Sequence, residues 1–191
     1  MDWIAKAQNN PHARMTGVVY LVFFLTAIPA QFLIGRKVAF YGIAINLIST
    51  AFYAVLTLLF YGMFKPVNRS LSLLATFFSL AGCIVMTLDL FVPSWPISPQ
   101  LFFGPYCLLI GYLIFRSRFL PRILGLSMAL AGLGWLAFLF PAVARSLTLD
   151  LEVLGIFAEA SLMLWLVVMG VNAQRWKEQS SAARKPMHLI Q

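Results

Sequence analysis

The chain alternates between long apolar runs and short breaks that carry charges or prolines. A helix needs about 20 apolar residues to cross roughly 30 Å of hydrocarbon. Six runs qualify: residues 16–34, 38–64, 71–92, 97–115, 120–143 and 151–171. Unpaired backbone groups are not tolerated in lipid, and the runs lack the alternation of polar and apolar positions that is typical of barrel strands. We therefore predict an all-α integral membrane bundle of six transmembrane helices.

The basic residues in the breaks predict the orientation of the bundle. Eleven of the fourteen Lys and Arg residues fall on the side that carries both termini, and only Arg36, Lys37 and Arg145 fall on the other. The eleven are Lys6, Arg14, Lys65, Arg69, Arg116, Arg118, Arg122, Arg175, Lys177, Arg184 and Lys185. Because cytoplasmic loops are enriched in Lys and Arg, we predict that the amino and carboxyl termini are both cytoplasmic.

We predict one membrane domain with two short polar extensions. Residues 16–171 contain the spans, and residues 1–15 form a cytoplasmic or interfacial amino-terminal segment. Residues 172–191 form a basic cytoplasmic tail, which we expect to lie at the anionic membrane surface or to be disordered. The first apolar run continues past Ala30 to Ile34, which favours a retained span over a cleaved signal peptide.

Composition supports lipid as the solvent for most of the chain. Hydrophobic residues make up 61% of the sequence and charged residues 10%, whereas a soluble domain usually carries about 25% charged residues. The net charge of +8 is spread over short clusters between apolar runs, with no basic stripe or recognition motif. We therefore expect the lipid bilayer as a partner and no nucleic acid.

Several stretches resemble a bacterial membrane-protein family catalogued as domain of unknown function 4386. They are RMTGVVYL at 14–21, LFYGMFKPVN at 59–68, FG at 103–104, GYLIFRS at 111–117, LPR at 120–122, LG at 124–125, AGLG at 131–134, Glu159, LWL at 164–166 and GV at 170–171. The chain departs from the family pattern in a shorter first outer loop and at Tyr106, where the family often has His. The resemblance implies a six-helix, multi-pass protein of the bacterial inner membrane, and it implies no reaction.

Signatures of soluble enzymes are missing from the sequence. It has no phosphate-binding loop, no pair of His four residues apart and no Gly-x-Ser-x-Gly motif. The histidines, His12 and His188, lie in opposite tails, so we expect no metal site and no cofactor. Cys83 and Cys107 lie inside apolar runs and are interpreted as packing residues. An enzymatic function is the less favoured interpretation.

The polar side chains inside the spans are the candidate ligand or proton site. Glu159 is the sharpest of them, since an isolated carboxylate in the bilayer costs about 2.5–3.5 kcal/mol on insertion scales. Counted from the predicted span ends, Asn46, Gln31, Tyr106 and Asp89 lie in the same outer half of the bundle. This common depth predicts a polar pocket that opens outward, with Asn46 or Tyr106 as the partner of Glu159.

Structural interpretations of the same residues stay open. Glu159 could be a protonated residue hydrogen-bonded to a neighbouring helix, and Asn46 and Gln31 could hold helices together. Asp89 could be a solvated group at a helix end. Small residues at 104 and 111, and at 125, 129 and 132, indicate close packing between the fourth and fifth spans.

Two functions remain in competition. The first is binding or transport of a small lipophilic ligand or a cation through the outward-facing polar pocket. The second is a non-catalytic accessory or sensory role, exerted through a membrane protein or lipid partner. An intramembrane enzyme acting on a lipid or quinone is a third interpretation. It would need Glu159 to lie within hydrogen-bond reach of Asp89 or Tyr106.

Overall fold

The computed structural model describes residues 11–34, 39–92 and 96–184, and these form seven helices with their connections. The helices are α1 (Pro11–Ile34), α2 (Ala39–Phe64), α3 (Arg69–Phe91), α4 (Gln100–Arg116), α5 (Arg122–Ala137), α6 (Pro141–Val168) and α7 (Ala173–Arg184). These ranges contain no β-strand, so the predicted all-α class is confirmed for them. Residues 1–10, 35–38, 93–95 and 185–191 lie outside the described part. They include four of the basic residues used to predict the orientation: Lys6, Arg36, Lys37 and Lys185.

The first six helices form a ring around a common core. Each helix packs against its predecessor and its successor, and α6 closes the ring against α1. The largest fully buried side chains are Tyr20, Leu56, Phe60, Phe64, Tyr106, Ile110, Leu113, Ile114, Met128, Leu162, Leu166 and Val171. Large apolar side chains such as Leu25, Phe77 and Phe157 are exposed on the outside of the ring. An apolar exterior of this extent is typical of a surface that contacts lipid.

Within the described ranges, four helices are long and apolar enough to cross a membrane. They are His12–Ile34, Phe40–Phe64, Arg69–Phe91 and Ser146–Val168. The apolar helices α4 and α5 have 17 and 16 residues, hence lengths of about 25 Å at 1.5 Å per residue. Length and composition therefore support four of the six predicted spans directly.

The predicted end of the fifth span, at residue 143, is wrong. Helix α5 ends at Ala137, and the next three residues turn, with the N–H of Phe140 donating to the carbonyl of Ala137 at 3.0 Å. Helix α6 then begins at Pro141. Proline has no N–H to donate and is favoured in the first turn of a helix, whereas in a helix interior it breaks the hydrogen-bond ladder. Because the residues of this turn are apolar, the hydropathy pattern does not distinguish it from the helices on either side.

The start of the sixth helix changes the depth of Glu159. Residues 145–150, predicted as a polar connection, are helical, with a kink at Leu147 (φ −124°, ψ 16°). Glu159 lies about 20 Å along the helix from Ser146 and about 14 Å from Val168. It is therefore near the middle of the apolar part of α6. The prediction of an outer-half position counted its depth from residue 151.

The described part of the tail is a helix docked on one end of the ring. Gly170 adopts a positive φ of 65°, and its N–H donates to the carbonyl of Trp165 at 3.0 Å, which ends α6 and reverses the chain. Helix α7 follows, and the indole N–H of Trp176 donates to the carbonyl of Met63 at 3.0 Å. The N–H of Asn172 donates to the carbonyl of Phe119 at 3.3 Å.

Candidate functional site

The centre of the candidate site is a hydrogen bond between the first and the sixth helix. The hydroxyl of Tyr20 on α1 donates to Oε2 of Glu159 on α6 at 2.8 Å. Tyr20 is buried, with 1% of its surface exposed, whereas Glu159 is half-buried. A carboxyl group among apolar helices needs a polar partner, and the phenol supplies one. The partner thus comes from another helix, as expected, but it is neither Asn46 nor Tyr106.

A glycine one turn earlier brings the two helices close enough for this bond. A Cβ atom on Gly17 would lie 2.7 Å from the backbone N of Val167 and 2.8 Å from the carbonyl carbon of Leu166. Only a residue without a side chain allows the backbones of α1 and α6 to approach this closely. Gly17 therefore sets the distance at which Tyr20, three residues later, meets Glu159.

Two further tyrosines complete the polar group, which we call the tyrosine–glutamate cluster: Tyr20, Tyr53, Tyr106 and Glu159. Tyr53 on α2 and Tyr106 on α4 are buried, and their ring centroids lie 6.2 Å apart in an edge-to-face arrangement. Tyr53, Tyr106 and Cys107 lie close enough to the carboxyl group of Glu159 for a charge on it to act on them. The cluster therefore joins α1, α2, α4 and α6 inside the ring.

Aromatic rings surround the cluster. Tyr20 meets Phe60 edge-on with ring centroids 5.8 Å apart, and Phe23 lies 4.7 Å from the ring of Tyr53. Tyr53 also meets Phe103 edge-on at 5.6 Å. Aromatic rings in these arrangements pack tightly. The face of each ring also carries a negative electrostatic potential, which attracts cations.

The surroundings of Glu159 determine what the cluster can do chemically. The sequence has no Lys or Arg between residues 146 and 174, nor between 15 and 35, so no basic side chain on the neighbouring stretches of α1 and α6 can neutralise the carboxylate. A carboxylate at this position loses its hydrating water. It must therefore either take up a proton or be paired with a bound cation. The phenol oxygens can hydrogen-bond the protonated carboxyl group or contact a cation. The ring faces can contact a cation.

The remaining predicted site residues lie elsewhere. Asn46 is buried on α2, seven residues or about 10 Å before Tyr53, and its Oδ1 is 3.5 Å from the hydroxyl of Thr50 on the same helix. Gln31 and Asp89 are exposed near the ends of α1 and α3. Of the five candidates, the structure brings together Glu159 and Tyr106.

Sequence reasoning missed Tyr20 and Tyr53. A tyrosine inside an apolar run resembles an interfacial or core aromatic, so neither residue stands out as a site residue. A usable signal was present for Tyr20, because it lies three residues after Gly17 and so shares its helix face. A second missed polar contact joins Thr57 on α2 and Ser79 on α3, whose hydroxyl oxygens are 2.6 Å apart.

The described residues form seven helices, four of them long and apolar enough to cross a membrane, which indicates the class of helical multi-pass membrane proteins. Residues 94–170 match the model of a family described as a domain of unknown function, DUF4386. The match includes Glu159 and Tyr106, and it confirms the resemblance to this family that the sequence motifs predicted.

One relative is an uncharacterized protein of the archaeon Archaeoglobus fulgidus. It is 23% identical to this chain over 147 residues, which cover 73% of this chain and 90% of the relative. The search of solved structures gave no match. The comparisons therefore support the resemblance to DUF4386 and assign no ligand or reaction.

Proposed function

We propose that the protein binds a small cation or a cationic lipophilic ligand at the tyrosine–glutamate cluster and carries it through the membrane. The observation that supports this proposal is the Tyr20–Glu159 hydrogen bond, which lies near mid-length of α6 where the ring closes. Intramembrane carboxyl groups are costly to insert and commonly belong to ion or proton pathways. Glu159 is half-buried, so the cluster is not sealed completely inside the core.

The proposed topology has six spans with both termini in the cytoplasm. Helices α4 and α5 are short, but they are consecutive members of the ring and share its apolar environment. A helix a few ångströms shorter than the hydrocarbon layer is accommodated by local thinning of the bilayer at modest cost. The distribution of Lys and Arg supports the orientation. We propose the cytoplasmic membrane as the location.

The chemistry favours exchange between a proton and a cation at one site. Without a cation, protonation removes the charge of Glu159 and lets the carboxyl group remain among apolar helices. A bound cation replaces the proton, with the carboxylate and the ring faces of the tyrosines as its contacts. Exchange of this kind couples movement of the cation to movement of a proton.

A thermal-stability screen of the purified protein tests the binding step. The probes are monovalent metal cations and a series of tetraalkylammonium ions, applied to the natural sequence and to Glu159→Gln. A ligand present at 100 times its Kd stabilises the folded state by about 2.7 kcal/mol, which raises Tm measurably. We expect a stabilising cation for the natural sequence and loss of that response in Glu159→Gln.

Asp89→Asn is the matched control, because it removes one carboxylate at an exposed position outside the cluster. It should keep the full cation response. An equal response from Glu159→Gln, or no response of the natural sequence to any probe, would contradict the proposal.

An accessory or sensory role is the second candidate function. The observation that favours it is the tight burial of the ring interior, where Leu56, Leu113 and Leu166 have no exposed surface. The described crevices that offer space for a ligand lie instead at the end of the ring that carries α7. This role would be supported if no cation raised the Tm of the natural sequence and Glu159→Gln were indistinguishable from it in the same screen.

A further inference from the structure

Two adjoining crevices lie where α7 meets the connection between α4 and α5. The larger has a volume of about 550 Å³ and is lined by Ser117, Arg118, Leu120, Arg122, Arg175 and Glu178; we call it the arginine crevice. The smaller has a volume of about 340 Å³, and we call it the apolar crevice. Arg118, Leu120 and Arg175 line both, so the two crevices are continuous.

Hydrogen bonds between α7 and the connection hold the arginine crevice in shape. The guanidinium of Arg175 donates from Nη1 to the carbonyl of Arg118 at 3.2 Å. The backbone N–H of Arg118 donates to Oε1 of Gln179 at 3.4 Å. These contacts fix the tail helix against the connection that follows α4, beside the lining residues Arg118 and Arg122.

The charge of the arginine crevice suits a phosphate group. Three arginine residues line it against a single acidic residue, Glu178. Guanidinium groups present several N–H donors in a planar arrangement that matches the oxygen atoms of a phosphate. A phosphate monoanion placed there would meet a net positive environment.

The apolar crevice adds a second chemical requirement. Its lining includes Leu120, Pro121, Trp165 and Met169 together with the two shared arginines. Trp165 lies one turn before the end of α6, so this crevice extends from the end of the ring toward the apolar part of the helix. Tryptophan is enriched at the level of lipid headgroups. A ligand that fills both crevices therefore has a phosphate joined to an apolar chain.

We propose that the two crevices bind one anionic phospholipid of the cytoplasmic leaflet. Its phosphate contacts Arg118, Arg122 and Arg175, and the first part of an acyl chain lies beside Trp165 and Met169. Basic pockets on the cytoplasmic side of helical membrane proteins select anionic headgroups in this way. A free phosphate ion would use the arginine crevice alone. The site is separate from the tyrosine–glutamate cluster and does not depend on its function.

Lipid binding is tested on the full-length protein in detergent micelles, with native mass spectrometry and Tm as readouts. The probes are dioleoyl phosphatidylglycerol, dioleoyl phosphatidylcholine with the same chains, and inorganic phosphate. We expect phosphatidylglycerol to bind and to raise Tm more than either of the other probes. A phosphate response as large as that to phosphatidylglycerol would assign the crevice to a free anion. Equal binding of the two lipids would overturn the selectivity for negative charge.

A triple substitution of the crevice arginines, Arg118→Gln, Arg122→Gln and Arg175→Gln, should weaken phosphatidylglycerol binding by about ten-fold or more, because each charged hydrogen bond is worth more than a neutral one. The matched control is the triple variant Arg14→Gln, Lys65→Gln and Arg69→Gln. It removes the same charge from residues on the same predicted side that do not line the two crevices. Equal weakening in both variants would indicate attraction to the whole basic surface and overturn the site.

If loss of the Arg175 hydrogen bond unfolds the triple variant, the single substitution Arg122→Glu still tests the proposal. Arg122 is the first residue of α5, where a negative side chain is favoured by the helix dipole. We therefore expect Arg122→Glu to fold normally and to lose selective phosphatidylglycerol binding. A folded Arg122→Glu protein with unchanged binding would refute the proposal. Glu159→Gln should leave lipid binding unchanged, so failure of the cation proposal is recognised separately.

Discussion

The hydroxyl of Tyr20 donates to the carboxyl group of Glu159 across the interface that closes the helix ring. The two residues are 139 positions apart in the sequence and their oxygen atoms are 2.8 Å apart. This bond can form only when α1 and α6, the first and last helices of the ring, are in contact. It therefore links closure of the ring to the environment of the carboxyl group that we propose as the cation site.

Removal of the Tyr20 hydroxyl should destabilise the protein. Tyr20→Phe keeps the ring but leaves the half-buried carboxyl group without its donor, which we expect to lower the free energy of unfolding by about 1–3 kcal/mol. Thermal unfolding in detergent measures the change. Tyr112→Phe is the control, because Tyr112 is 47% exposed and should change stability by less than about 0.5 kcal/mol. Equal stability of the two variants would show that the bond contributes nothing.

Replacement of glycine by alanine should have opposite effects on stability at Gly132, in the α4–α5 interface, and at Gly62 on α2. A Cβ atom on Gly132 would lie 2.8 Å from the carbonyl O of Gly104 and 2.8 Å from the N of Leu108. These are backbone atoms, so α4 must move, and we expect Gly132→Ala to cost about 1–3 kcal/mol.

Gly62 is the matched control, since a Cβ atom there meets nothing within 4 Å. In a helix, Gly62→Ala should stabilise the protein by up to about 1 kcal/mol. Thermal unfolding of the two variants provides the comparison. A Gly132→Ala protein as stable as Gly62→Ala would show that α4 and α5 do not pack this closely.

A double-mutant cycle tests whether Gly17 positions Tyr20. Gly17→Ala pushes α1 away from the backbone of Val167 and should break the Tyr20–Glu159 hydrogen bond. Tyr20→Phe removes the same bond, so the double variant should lose less stability than the sum of the two single losses. Losses that add to within about 0.5 kcal/mol would mean that the two positions act independently.

Topology is predicted by the charge distribution and can be read from reporter fusions. Fusions after Asn68, Ser117 and Gln191 should report a cytoplasmic location, and a fusion near Ser98 an external one, because the basic connections remain inside. An external carboxyl terminus would contradict an even number of spans with both ends in the cytoplasm.

Apolar run lengths predicted most of the helices, and the turn between α5 and α6 shows where this signal fails. Phe138, Leu139 and Phe140 are as apolar as the helices around them, so hydropathy continued the fifth span through a turn. The start of α6 at Pro141 is set by backbone chemistry, which an average over apolar residues does not measure. The close contact of α4 and α5 was predicted correctly, because the spacing of small residues is a direct sign of close packing.

The candidate site could be predicted only in part. Glu159 was recognisable because a lone acidic residue in an apolar run is costly wherever it lies. Its partner was missed because its depth was counted from a helix start ten residues too late, and because Tyr20 resembles an ordinary core aromatic. The docking of α7 had no sequence signal, since Trp176 and Asn172 donate to the backbone carbonyls of Met63 and Phe119.

The central claim is that Glu159 binds the cation, and difference infrared spectroscopy of the carboxyl groups measures this directly. The protein is reconstituted in lipid, and spectra are recorded with and without the cation that stabilises it most. We predict that cation binding shifts one carboxyl band, that the shift is absent from Glu159→Gln, and that it is retained in Asp89→Asn. A band shift that persists in Glu159→Gln, or cation binding with no change in any carboxyl band, would contradict the account.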